Sequence, residues 1–163
     1  MPTESHPKIS QRLAVHLHIY YEDMWEEIRE YLENIKDYPY DLYVTLTKDN
    51  PELTAKIKAF SPNATIWLVE NRGYDVGPFI DFLHHIDLDS YDLILKLHTK
   101  NKTKNKGNSF HLNGYRFTQA LWTNHLFKGL LASPRLARKI LFHFQSDATL
   151  GMCGAKTLLS AEK

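Results

Sequence analysis

The chain has 163 residues, 43% hydrophobic and 24% charged, which fits one soluble globular domain, and its single cysteine, Cys153, excludes an intrachain disulfide and suits a reducing compartment. No apolar run approaches the ~20 residues that span a bilayer, and residues 1–11 lack the apolar stretch of a secretory signal, so the expected address is the cytoplasm, with a peripheral place at the inner membrane face left open. The net charge of +1 hides a segregation: residues 1–92 hold 17 acids against 8 Lys and Arg, whereas residues 93–146 hold 10 Lys and Arg and no acid. Either the second part faces an anionic partner or the two parts complement each other in the fold.

Residues 1–11 read as a flexible tail and residues 12–156 as a single domain. Leu13 to Tyr20 is β-branched and aromatic-rich at its end, a strand. Apolar residues at 24, 25, 28, 31, 32 and 35 have helical spacing. Asp41 to Thr47 is a second strand. Asn50-Pro51-Glu52 starts a helix that runs to about Phe60, with Asn50 as cap and Pro51 in the first turn. Thr65 to Val69 is the third strand, and a helical pattern follows Pro78. Tyr91 to Leu97 is a fourth strand, ending in His98-Thr99-Lys100 and a lysine-rich loop through Ser109. Helices are predicted over Tyr115–Leu131 and, capped by Ser133, to about Phe144. Leu150 to Gly154 reads as a short last strand, and 157–163 as a C-terminal tail. This alternation predicts an α/β fold of three layers, a mostly parallel sheet flanked by helices.

The first strand is not followed by a Gly-x-Gly-x-x-Gly turn, and no Gly-x-x-x-x-Gly-Lys-Ser/Thr loop occurs, which disfavours hydride transfer and NTP hydrolysis. Three strand ends remain: His18 to Tyr21, Glu70 to Gly77, and Leu97 to Lys106. A parallel sheet delivers all three to one crevice, where such folds bind ligands. Glu70-Asn71-Arg72-Gly73-Tyr74-Asp75-Val76-Gly77 carries more polar functionality than a connector needs. Arg72 suits bidentate contact with a phosphate or sugar hydroxyl. Asn71 suits positioning of the loop, and Gly73 and Gly77 permit positive φ or close backbone approach. Asp75 suits contact with sugar hydroxyls or the base, and it also suits capping of the following helix, with Arg72 then pairing Glu70; the two roles do not exclude each other. His16 and His18 share a strand face, but two histidines do not make a metal site.

These residues carry a resemblance. Tyr20-Tyr21 with Trp25, Asp41-Leu42-Tyr43-Val44-Thr45, Asn71-Arg72-Gly73-x-Asp75-x-Gly77-Pro78-Phe79, Lys96-Leu97-His98-Thr99-Lys100 and Leu150-Gly151-Met152 together resemble the rhamnan synthesis protein F family of bacterial cell-surface polysaccharide biosynthesis, over about residues 12–156. Family members are generally longer, which implies a shortened member or a fragment. The resemblance implies a glycosyltransferase fold of the GT-A type, Rossmann-like, and a rhamnosyltransferase-like activity. The donor would be a nucleoside-diphosphate sugar and the acceptor a saccharide or lipid-linked saccharide. It implies a donor site at His18, Tyr20, Asn71, Arg72, Gly73, Asp75, Gly77, His98, Thr99, Lys100 and Lys102, with Asp75 the candidate catalytic group. Such enzymes usually end the fourth strand in Asp-x-Asp and hold a divalent ion there, Mg or Mn. His98-Thr99-Lys100 stands in that place, which disfavours a metal and leaves His98 and Lys100, Lys102, Lys104 and Lys106 to balance a diphosphate. The same departure keeps open a non-catalytic binding or scaffold domain. Nucleic-acid binding is disfavoured, because the basic run lacks a recognisable module and interleaved aromatics.

Overall fold

The structure, a computed structural model, describes residues 10–100, 109–112 and 114–155. The two expected tails beyond that range, and Lys102, Lys104 and Lys106, lie outside the described residues. Among those described, four strands form an all-parallel sheet: β1 (Leu13–Ile19), β2 (Tyr40–Leu46), β3 (Thr65–Leu68) and β4 (Leu93–His98), in the order β3-β2-β1-β4. Helices α1 (Trp25–Leu32), α2 (Pro51–Phe60), α3 (Val76–His85), α4 (Gln119–Leu131) and α5 (Pro134–Ser146) complete three layers.

Register decides which residues share a face. Leu13, Val15, Leu17 and Ile19 align with Tyr40, Leu42, Val44 and Leu46, and with Leu93, Leu95 and Leu97. This apolar face packs on Trp25, Ile28 and Leu32 of α1, Leu53 and Ile57 of α2, Phe127 and Leu131 of α4, and Ala137 and Leu141 of α5. The other face carries His16, His18, Tyr43, Thr45, Lys96 and His98, and α3 lies across it with Phe82 fully buried. A sheet buried on both faces makes β1 buried at every position and hides the period-two alternation of a half-exposed strand.

Local chemistry sets the helix starts. Asn50 Oδ1 accepts the Leu53 N–H at 3.0 Å, and Ser133 Oγ accepts the Leu136 N–H at 3.2 Å, with proline in the first turn of both α2 and α5.

Two expectations are corrected. Residues 115–118 are not helical: Tyr115–Thr118 is β6, antiparallel to β5 (Ser109–Leu112), and α4 begins only at Gln119. Asn113-Gly114 is a two-residue hairpin signal, and Gly114 takes the positive φ of 79° that such turns require. Leu150 to Gly154 is not a strand; it runs as irregular chain beyond α5 and hydrogen-bonds to no strand of the described sheet.

Candidate functional site

The chain steps outward from β1 to β2 to β3, then crosses back to place β4 on the other side of β1. The strand order therefore reverses between β1 and β4, and an open α/β sheet binds ligands at such a point, beyond the strand carboxyl ends. His18 and His98 are register partners there.

Thr99 closes the junction. Its Oγ1 accepts the backbone N–H of Tyr20 at 2.8 Å and of Tyr21 at 2.9 Å, while its own N–H donates to His18 O at 3.0 Å. The turn after β1 is thus tied to the end of β4. Thr99 is buried and spends its hydroxyl on structure. Tyr20, half-exposed, stands edge-on to Tyr21, and the Lys100 N–H donates to Met24 Sδ at 3.3 Å.

The loop after β3 folds tightly on itself. Gly73 (φ 75°) and Tyr74 (φ 54°) are both left-handed, and the Gly73 carbonyl accepts the N–H groups of Val76 and Gly77 at 3.1 Å each. A Cβ on Gly77 would lie 2.0 Å from the Arg72 carbonyl oxygen, so only glycine lets the chain pass there. Asn71 and Arg72 are exposed, and Arg72 forms no ion pair with Glu70 among the described residues; its backbone N–H donates to the Glu70 carbonyl. Tyr74 is 90% exposed in a conformation that costs a non-glycine residue energy, and the sequence reading passed over it.

Asp75 occupies the N-cap position of α3, but its side chain makes no capping hydrogen bond, contrary to one of the two sequence readings. The carboxylate instead reaches across the sheet to Lys96 Nζ on β4, with His98 Nδ1 at 3.6 Å. Partial burial by itself would raise the Asp75 pKa, but the Lys96 hydrogen bond and the charges beside it outweigh burial and hold it below the usual carboxylate range. Burial pushes His98 down to about 4; the nearby Asp75 opposes this, and Lys96, Lys100 and His18 add to it. His98 is therefore neutral at pH 7, and Lys96 is the cation that keeps Asp75 ionised. Lys96 was not among the predicted site residues. Its signal was one charged side chain in the apolar run Leu93-Ile94-Leu95-Lys96-Leu97.

Beneath this pair, Thr45 Oγ1 lies 3.1 Å from His16 Nε2 and 3.0 Å from His18 Nδ1. Burial, helped by the charges of His18 and Lys96, lowers His16 to about 3. Burial also lowers His18, against the opposing Thr45 carbonyl and Asp75. Phe82 stacks on the His16 ring at 4.6 Å.

The structure thus gathers His18, Tyr20, Asp75, His98, Thr99 and Lys100 near the carboxyl ends of β1 and β4, adds Lys96, Thr45 and His16, and leaves Asn71 and Arg72 on an exposed loop. A divalent ion does not fit this donor set. Asp75 is committed to Lys96, Thr99 to two amides, and among the described residues no group of three or more His, Cys, Asp or Glu is arranged to hold one. The sequence does contain Asp87-Leu88-Asp89, but it lies at the amino end of β4, where Asp87 caps a 3-10 turn. A hollow also lies away from His18, His98 and Thr99. An apolar groove of about 600 Å³ follows the free edge of β4, between Phe79 and Leu88 on one side and Ile140 and Phe144 on the other. Its lining includes Lys96 but not His18, His98 or Thr99, so the hydrogen-bonding chemistry belongs to the crevice rather than to the groove.

A family model described as Rhamnan synthesis protein F matches residues 2–160. Two curated relatives, each an "Uncharacterized protein WxcX" from Xanthomonas campestris pv. campestris (strains B100 and ATCC 33913), are 28% identical over 147 residues, 88% of this chain. The matched part is 19% of each relative, so the chain spans about a fifth of their length. No solved structure matches. No helix among the described residues is long and apolar enough to cross a membrane.

Proposed function

The chain belongs to the rhamnan synthesis protein F family, which places it in polysaccharide biosynthesis, and on that premise we propose that its β1–β4 crevice binds a nucleoside-diphosphate sugar for transfer to a saccharide acceptor. One observation carries the reading: the strand-order reversal gathers His18, Tyr20, Asp75, His98 and Lys100 where α/β sheets take their ligands. Lys100 supplies charge for the diphosphate in place of a metal. Asp75, ionised by Lys96, accepts hydrogen bonds from sugar hydroxyls. The acceptor is a saccharide, free or lipid-linked, presented at the inner membrane face.

A thermal-shift panel of uridine, guanosine and thymidine diphosphate sugars, one of them carrying rhamnose, tests the site. A donor at one hundred times its Kd stabilises the fold by about 2.7 kcal/mol, which moves Tm by roughly 5–10 °C for a domain of this size. Asp75→Ala and Arg72→Ala should shrink that shift. A flat response to the whole panel refutes the reading. His98-Thr99-Lys100 at the strand end favours a second reading, a domain that binds donor or glycan without turnover. Release of nucleoside diphosphate by the purified chain with acceptor present separates the two.

A further inference from the structure

His16 and His18 are both neutral at pH 7, so each ring carries one N–H. Thr45 Oγ1 lies between them with a single proton to donate and, among the described residues, no third partner. Its hydroxyl therefore donates to one ring and accepts from the other, and the two tautomers are coupled. In one arrangement Thr45 donates to His18 Nδ1 and both rings are Nε2–H. In the other, Thr45 donates to His16 Nε2 and both rings are Nδ1–H.

His16 Nδ1 decides between them. It is sealed from solvent without a partner, in a ring that Phe82 and Phe79 hold in place. The second arrangement buries an orphan N–H there; the first leaves only a lone pair. Orphan buried N–H groups are the rarer and costlier of the two. Neutral imidazole in water also prefers Nε2–H. The Thr45 carbonyl also lies close enough to the His18 ring to favour its protonated form, while the hydroxyl holds Nδ1 at 3.0 Å. Across the His18 ring, no side-chain hydrogen bond holds Nε2 among the described residues. The only unpartnered side-chain atoms sealed from solvent among the described residues are Gln11 Oε1 and His16 Nδ1, so His18 Nε2 is not fully sealed, although His18 is only 3% exposed.

We propose that His16 and Thr45 are positioning residues that lock His18 as the Nε2–H tautomer, making it a fixed hydrogen-bond donor to a phosphoryl oxygen in the β1–β4 crevice. The phosphoryl assignment follows from Lys100, two residues beyond the register partner His98 and near enough for its charge to act on that ring. Only the identity of the ligand rests on the donor-site reading; the tautomer lock stands on the geometry of the three side chains. A locked donor suits an anionic oxygen because it needs no reorganisation when the charge arrives.

Long-range 1H–15N spectra of the ligand-free protein read the tautomers directly. Nε2–H is expected at both His16 and His18. Thr45→Val should mix the His18 tautomers and weaken binding of uridine, guanosine or thymidine diphosphate by about 10-fold, the worth of one hydrogen bond to a charged group; Thr45→Ser should retain both properties. Should Thr45→Val fail to fold, His16→Phe, which keeps the stack on Phe82, should mix the tautomers in the same way. Finding His18 as Nδ1–H, or finding its tautomer indifferent to both substitutions, overturns the lock. Binding of a nucleoside diphosphate that leaves the His18 Nε2 signal unmoved, or movement with free sugar and not with diphosphate, overturns the phosphoryl assignment while the crevice remains a ligand site. Absence of binding by every nucleoside diphosphate and sugar refutes the donor-site reading and the ligand assignment together, and the tautomer spectra still decide the lock.

Discussion

Replacing Lys96 by Met tests whether the Asp75–Lys96 pair organises the crevice. The two side chains retain 30% and 28% of their exposure, between the surface and buried limits. Exposed pairs contribute about 0.2–1 kcal/mol, and breaking a buried pair costs about 3–5 kcal/mol. Partial exposure and a single N–O contact put this pair nearer the lower range, with a coupling of about 1–2 kcal/mol. Lys96 also stands 5.5 Å from the Phe79 ring centroid, a cation–π contact that adds about 0.5 kcal/mol or more. Lys96→Met and Asp75→Asn should therefore each lose about 1–2 kcal/mol at pH 7, and the double variant should lose less than their sum. The assay is urea unfolding followed by tryptophan fluorescence. The sign with pH follows from linkage. Because the folded-state pKa of Asp75 is depressed, its stabilisation is fully present above the unfolded value and is lost as pH falls through the lower folded value. The gap between wild type and Asp75→Asn should thus be constant from pH 7 to 5 and close below about pH 4. A coupling under about 0.3 kcal/mol, or a gap that widens in acid, refutes the argument.

Substitutions at three further positions probe the segments around this pair. Gly77→Ala drives a methyl into the Arg72 carbonyl and should cost about 1–3 kcal/mol, with loss of any donor-induced thermal shift. Gly151→Ala, with nothing within 4 Å of its new carbon, should stay within about 0.5 kcal/mol. Thr99→Val strips the acceptor from the Tyr20 and Tyr21 amides, and at about 1–3 kcal/mol per orphaned group it should destabilise by roughly 2–4 kcal/mol in the same urea assay. Thr99→Ser should recover most of that, and a silent Thr99→Val would show that water replaces the hydroxyl.

Much of the architecture was legible because it is local. The apolar runs of β1 to β4 and the Asn50 and Ser133 caps depend on neighbours a few residues away, and each lies where periodicity and capping chemistry put it. The errors share a cause. Tyr115 to Thr118 abuts a genuine helix, and its apolar residues extended that pattern, although Asn113-Gly114 marked a hairpin. Leu150 to Gly154 has the composition of a strand, but propensity cannot tell whether a sheet edge takes it, and the chain runs past the open edge of β4 unpaired. The site was half legible: the strand-end positions of His18, Thr99 and Asp75 were readable, their partners were not.

By itself the sequence determined the alternation of elements, the capped helix starts and the glycines that let the loop before α3 fold back on itself, since all of these rest on contacts within a few residues. The tertiary structure alone decided that β4 lies beside β1, that Asp75 meets Lys96 rather than capping its own helix, and that one threonine hydroxyl joins His16 to His18. The β1–β4 pairing joins residues 80 apart in the chain, and the side-chain contacts span 21 to 29. They depend on strand order and register, and a single-residue slip in register would send His16, His18, Thr45 or Lys96 to the opposite face of the sheet.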